Sequence, residues 1–570
     1  MAFVQRRRLL QLFSLLLGLC LWRDAAAVYP PPVIARHGMV VTSQHLASQV
    51  GLDILKQGGN AVDAAVAVGY ALAVVHPCCG NIGGGGFMLI HLADGKNLFL
   101  NFREKAPLKA TRDMYLDKQG NVIPGASIDT YLGVGVPGTV LGLDTALHKY
   151  GTMTRSQVMA PAIRYARDGF VLARGDVDIL NRRTQEFAGQ PNVAAIFLNH
   201  GKPYQPGERL VQPQLAHTLS LIEKDGPKAF YDGPIAKAVV KASDANGGRL
   251  SLQNFRDYSV EWEKPIQCDY RGYTVYSSPP PSSGGTTICE ILNVLNGYPM
   301  GFMGFHSAQS VHYLVEAMRH AYVDRNTKLG DPDFVKNPLQ ELLSPAHAAA
   351  IRAKIDPDRA TPSSELGPKV LLQEGHSTTH YSIVDKDGNA VAVTYTINNW
   401  FGTGKIAGNT GFFLNDEMDD FTSKPGVPNL FGLVQGEANA IAPGKRPLSS
   451  MSPTIVMNPD HKLFMVTGSP GGSRIITITL ETILNVIDHH MDIQAAVDAP
   501  RIHHQWLPDE VFLEPGALSA DTRAKLSAMG YRFKVQHPWG ADEAILVDPK
   551  TGEREGANDD RRPAGKAVGY

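Results

Sequence analysis

One hairpin constrains this chain more than any other feature. Residues 378–396 read TTHYSIVDKDGNAVAVTYT, two β-prone runs joined by a turn that contains Asp-Gly. Residues that face each other across a hairpin have numbers with a constant sum. A loop over 385–389 sets Val384 against Ala390, and therefore Thr378 against Thr396. A loop one residue shorter moves the pairing by one place and keeps the two threonines near neighbours. Local pairing thus brings two hydroxyls together at the open end of the hairpin. A cross-strand threonine pair is also an ordinary sheet contact, so geometry by itself leaves a structural and a chemical reading open.

The elements around the hairpin alternate in blocks. FMLIHLADGKNLFLNFRE is strand, Asp-Gly turn and strand, ending at Arg103. Ser43 has the chemistry of a helix N-cap ahead of QHLASQVGLDILKQGG. In that segment Leu46, Val50 and Ile54 share one face, and Gly58-Gly59 end the helix. AVDAAVAVGYALAVVHP is apolar almost all round, which predicts a buried helix closed by Pro77. Val311, Leu314, Val315, Met318 and Tyr322 mark another amphipathic helix. Such blocks imply an α/β or a layered α+β fold. From DPDRATPSSELGPK to Thr378 the chain is rich in Pro, Ser and Gly, and is expected to form an exposed tether ending at the threonine pair.

Composition excludes several classes. With 43% hydrophobic and 19% charged residues among 570, the chain is neither disordered nor fibrous, and can bury a large core or two domains. Its net charge is −1, or −4 once the +3 of the first 27 residues is set aside, so it offers no basic face to a nucleic acid. Arg6-Arg7-Arg8, the apolar run LLQLFSLLLGLCLW and the small residues at Ala25–Ala27 predict a signal peptide over 1–27, cleaved near Ala27. The apolar run is shorter than the about 20 residues that span a bilayer. Large Leu19 ahead of Cys20 argues against a lipid anchor. The expected location is periplasmic or secreted, and the lack of any Asn-x-Ser/Thr favours a periplasm over a glycosylated surface. Cys78, Cys79, Cys268 and Cys289 are too few for a disulfide scaffold. The neighbours Cys78 and Cys79 are not expected to bridge each other without strain.

Some motifs look chemical and point elsewhere. GNIGGGGFM lacks the Gly-Lys-Ser/Thr ending of a phosphate loop, and suits close backbone packing or the wall of a site. DHHMD and IHHQW hold adjacent histidines whose side chains diverge, and no His-Glu-x-x-His occurs, so no metal is expected. TGSPGGSR is not a Gly-x-Ser-x-Gly nucleophile elbow, although its glycines can present N–H groups to an oxyanion.

The segments TTHYSIVDKDGNAVAVTYTIN, LNDEMDDF, PGKRPLSSMSPTIV, VTGSPGGSRI and FREKAP resemble the signature segments of the γ-glutamyltranspeptidases, which are N-terminal-nucleophile hydrolases. The resemblance extends from about Pro32 to the final GKAVGY, with five motifs in family order. It implies an α+β fold: a four-layer αββα sandwich, two central sheets between helices, with heavy and light chains forming one fold. It implies self-cleavage between Ser377 and Thr378, dividing a heavy chain, 28–377, from a light chain, 378–570. Thr378 then gains a free α-amine, a base with a pKa near ~8 beside its own hydroxyl. Nucleophile and base arrive in one residue.

The same resemblance assigns the site. Thr396 would orient the Thr378 hydroxyl. Arg103, Ser449 and Ser450 would take the α-carboxylate of a γ-glutamyl group, arginine through its two-pronged fork. Asn398, Glu417 and Asp420 would take its ammonium; many bacterial members have Gln in place of Glu417. The N–H groups of Gly471 and Gly472 would hold the oxyanion. Expected substrates are glutathione and other γ-glutamyl compounds, with water, amino acids or dipeptides as acceptors and no cofactor. The loop KPGVPNLFGLVQG matches a lid over the pocket. Its tip is Phe431, where bacterial relatives commonly carry Tyr, so the lid is expected to be looser. Two rivals stay open: a cephalosporin (glutaryl) acylase on the same fold, against which Glu417 and Asp420 weigh, and a non-catalytic exported binder of γ-glutamyl compounds.

Overall fold

The computed structural model describes residues 30–366 and 378–570, of which Pro32–Tyr570 form one compact unit. The signal segment, the expected processing near Ala27, and Ser377 lie outside the described residues. Two seven-stranded sheets dominate. The first runs Lys566–Gly569, Met39–Thr42, Thr379–Val384, Ala390–Thr396, Gly85–His91, Asn97–Phe102, Glu261–Glu263. The second runs Val33–Ala35, Arg554–Asn558, Glu543–Val547, Leu463–Thr467, Thr454–Met457, Tyr273–Ser277, Ile266–Tyr270. Each sheet mixes strands from before and after position 378, so the chain on either side of that point cannot be a separate fold.

Side-chain alternation along the strands produces the layers. Met39 and Val41, Phe87 and Leu89, and Ala390 and Ala392 point from the first sheet into a core shared with Ile455, Val466 and Ile545 of the second. Their neighbours Val40, Met88, Ile90, Val391 and Val393 point the other way, onto the helices His45–Lys56 and Ala61–Val75. Val456, Met465 and Ala544 face the opposite outer layer, formed by Gly284–Leu295, Ala308–Lys328 and Ile475–Ile487. The order is helix, sheet, sheet, helix. Among the described residues no helix is long and apolar enough to cross a membrane.

The apolar helix Ala61–Val75 is buried at every position. It also anchors the hairpin: the Tyr381 and Tyr395 hydroxyls donate to the carbonyls of Ala65 and Gly69 at 3.0 and 2.9 Å. Three expectations need correction. The cap of His45–Lys56 is Gln44, whose Oε1 accepts from the Leu46 and Ala47 amides; Ser43 instead donates to buried Glu543. The expected tether is described only as far as Leu366, residues 367–377 lying outside the described residues, and Ser363 within it is buried. Its amide donates to Asp509, its hydroxyl to the Trp506 carbonyl, and its carbonyl accepts from the Trp506 indole. Cys78 and Cys79 do form a disulfide, in a buried turn where neighbouring side chains need not diverge, and Cys268 bonds Cys289.

Candidate active site

The hairpin pairs as the numbering requires. Val384 faces Ala390 and Thr379 faces Tyr395, which continues to Thr378 opposite Thr396. The two hydroxyls lie 3.4 Å apart, both nearly buried. The Asn398 amide donates to the Thr396 hydroxyl oxygen at 2.9 Å, which fixes that oxygen. Asn398 adopts φ 74°, a left-handed conformation that Asn tolerates better than most residues. Its side-chain amide donates to the Asp416 carbonyl. The glycine run supports this end by close approach: a Cβ on Gly84 would sit 1.8 Å from the Thr396 carbonyl oxygen. The Cys78–Cys79 turn adds two backbone bonds, accepting from the Phe401 and Ile397 amides.

The second sheet delivers the glycine pair. Strand Leu463–Thr467 leads into Gly468, which packs on the ring of His380, two residues from Thr378. Gly471 and Gly472 follow at φ 147° and 59°. Among the described residues neither N–H has a backbone acceptor. Burial pushes the His380 imidazole down to about 3, so the ring is neutral, bridging the Thr394 and Ser382 hydroxyls. It is a spacer between the sheets and no general base at neutral pH.

Charge concentrates beside this end. Fully buried Arg103 bonds Glu417, reaches Asp420 at 2.5 Å, donates to the Pro447 carbonyl at 3.2 Å, and lies 3.6 Å from Glu104. Three acids thus surround one cation. Burial raises the pKa of Glu417 and Asp420 against the pull of Arg103. Burial likewise pushes Glu104 up to about 7. Both Glu104 carboxylate oxygens and one of Glu417 lack a hydrogen-bond partner among the described residues. A buried acceptor without a donor is costly, and a cationic ammonium would supply one. Glu104 was passed over in the sequence, although it stands within the quoted FREKAP.

The expected carboxylate side is built differently. Ser449 and Ser450 follow the PGKRPL turn; the Ser449 hydroxyl accepts from the Met451 amide, and the Ser450 hydroxyl accepts from Arg325. Arg103, expected with these serines, is instead seen on the acids assigned to the ammonium. Arg325 was not foreseen, because a charged residue late in an amphipathic helix carries no signal of burial. The lid residue Phe431 is 5% exposed, its ring against Gly472. Its backbone carbonyl accepts from Gln505, and the preceding amide of Leu430 donates to Asp419. Elsewhere Glu290, Asp324 and His347 come within reach of one ion. There His347 already bridges both acids, and Lys328 bonds Asp324.

Comparison with known proteins decides the family. The model of the gamma-glutamyltranspeptidase family matches residues 47–570. The chain belongs to the gamma-glutamyltranspeptidase family. It is 59% identical to the glutathione hydrolase proenzyme of Pseudomonas sp. (strain A14), covering 97% of each chain, and 50% identical to that of Escherichia coli (strain K12), covering 98% of each. Among solved structures, a cephalosporin acylase from Bacillus halodurans superposes with a TM-score of 0.83 at 28% identity, covering 96% of this chain and 99% of that one. As a gamma-glutamyltranspeptidase, the chain has the layered fold its relatives share, and the threonine pair stands at the end of a hairpin in a sheet built from both halves of the sequence.

Proposed function

We propose that Thr378 is the nucleophile of a self-processing γ-glutamyltransferase that also hydrolyses glutathione. In the precursor the Thr378 hydroxyl attacks the Ser377 carbonyl carbon. The peptide C–N bond breaks, the Ser377 acyl group passes to oxygen, and the Thr378 nitrogen takes the proton. Water then opens the ester. The products are a heavy chain, 28–377, and a light chain, 378–570, held together because both contribute strands to each sheet.

The freed α-amine, with a pKa near ~8, accepts the Thr378 hydroxyl proton at neutral pH. Thr396, fixed by the Asn398 amide, holds that hydroxyl in line. Attack on the γ-carbonyl carbon places the oxyanion against the Gly471 and Gly472 N–H groups. Collapse expels the amine, Cys-Gly when the donor is glutathione, which leaves with the proton from Thr378. Water releases glutamate from the γ-glutamyl ester; an amino acid or dipeptide takes the group instead. Asn398, Glu417 and Asp420 receive the substrate ammonium while Arg103 stays bonded to the acids, and Ser449 and Ser450 receive its carboxylate. The 1–27 segment directs export, with cleavage near Ala27 and a periplasmic or secreted product.

The observation that carries this reading is the 3.4 Å contact of Thr378 with Thr396 at the end of the hairpin. Likeness to a cephalosporin acylase keeps glutaryl substrates in view. A glutaryl group has no ammonium, however, and would leave the unpartnered oxygens of Glu104 and Glu417 unused. A denaturing gel tests the scheme. Wild type should give two fragments and Thr378→Ala one inactive chain; a variant that still splits before residue 378 would reject it.

A further inference from the structure

Arg325 is 1% exposed, and no carboxylate of the described residues lies within ion-pair distance of it. Isolated buried cations are expensive, so its surroundings matter. Every group it touches is a neutral dipole. Nε donates to the Ser283 hydroxyl at 3.0 Å, Nη1 to Asn326 Oδ1 at 2.9 Å and to Gln435 Oε1 at 3.0 Å, and Nη2 to the Ser450 hydroxyl at 3.0 Å.

These bonds lead back to the pocket. The Ser283 hydroxyl passes its own proton to the Ser449 carbonyl at 2.7 Å. Gln435 donates through Nε2 to the Asp420 carbonyl at 3.0 Å. At Ser450 the consequence is directional. Arginine has donors and no acceptor, so the Ser450 oxygen must accept, and its O–H has to be given to something else. Among the described residues it has no acceptor, and Ser450 is 8% exposed, open enough to meet a ligand. Arg103, the other cation here, already divides its donors among Glu417, Asp420 and the Pro447 carbonyl.

We propose that Arg325 is a positioning residue for the donor's α-carboxylate: it turns the Ser450 O–H toward that carboxylate and supplies the buried positive charge it balances. This rests on the pocket reading above. Burial drives the Arg325 pKa down to about 10, so the charge persists at neutral pH. The ligand class is a γ-acyl donor bearing an α-carboxylate, as opposed to a 4-aminobutyryl donor, which keeps the amine and lacks the carboxylate.

The test uses processed enzyme with anilides of both donors. Arg325→Met should cut kcat/KM for the γ-glutamyl donor roughly ten- to a hundredfold, mainly through KM, the range for a lost hydrogen bond to a charged group. The 4-aminobutyryl donor should lose less than about threefold, so the selectivity between the two collapses. Arg325→Lys, which keeps the charge without the fork, should recover part of that selectivity and serves if the Met variant does not fold. Equal losses on both donors, or an unchanged selectivity ratio in the Lys variant, would overturn the role of Arg325. A wild type that does not distinguish the donors would instead reject the pocket reading itself.

Discussion

Two buried arginines on either side of Asp420 have opposite surroundings. Arg103 lies among Glu104, Glu417 and Asp420, three acids to one cation. Arg325 lies among Ser283, Asn326, Gln435 and Ser450, with no acid in contact. The first side is short of positive charge and the second of negative charge. A γ-glutamyl group carries an ammonium and a carboxylate on one carbon, and corrects both deficits at once. Neither half alone points to a zwitterion; their separation across Asp420 and Ser450 does.

That contrast can be broken by removing each cation. Arg103→Met strands buried carboxylates and should cost about 3–5 kcal/mol of stability, the range for breaking a buried pair. Arg325→Met strands only neutral acceptors, and should cost no more than about 1–3 kcal/mol. Thermal melts of the two variants decide it; an Arg325→Met that falls as far as Arg103→Met would show that the two sites are not different in kind. Next in size, Asp420→Ala should cost about 2–5 kcal/mol on γ-glutamyl donors and far less on glutaryl ones, which have no ammonium to strand. Equal loss of kcat/KM on both would remove Asp420 from amine recognition.

A smaller effect concerns the surplus acid. Glu104 titrates near 7 when folded and near 4.5 in its ordinary state, so the folded protein holds the extra proton between those values. Stability contributed by that proton is lost as pH rises across the window. Glu104→Gln should therefore gain on wild type from pH 4.5 to 7 and run parallel above it. Melts across that range check this, and a constant difference would mean that Glu104 stays charged throughout. Smallest is Phe431→Tyr. If the added hydroxyl finds a hydrogen-bond partner in the pocket, it would contribute roughly 0.5–1.5 kcal/mol and raise the ratio of transfer to hydrolysis about two- to twelvefold. An unchanged ratio would mean that the bonds to Asp419 and Gln505 already hold the lid.

The sequence made some of this legible and hid the rest for physical reasons. Hairpin register is local, so the Thr378–Thr396 contact followed from counting residues around Asp385–Asn389. The all-buried helix Ala61–Val75 was visible because its apolar pattern has no polar face. The pairing of Arg103 with Glu417 crosses 314 positions, and no spacing rule reaches that far. Arg325 escaped because its partners lie on three other segments and on Asn326 beside it. Ser43 misled because an N-cap side chain and a side chain bonded to a distant acid look alike in sequence; only the position of Glu543 separates them.

The central claim is that Thr378 carries the γ-glutamyl group during turnover. Mixing processed enzyme with a γ-glutamyl anilide, quenching in acid and mapping the light chain by mass spectrometry tests it directly. The account predicts one glutamyl ester on the peptide that begins with Thr378, lost on chasing with an acceptor dipeptide. An adduct on any other residue, or steady turnover with Thr378 never acylated, would contradict it.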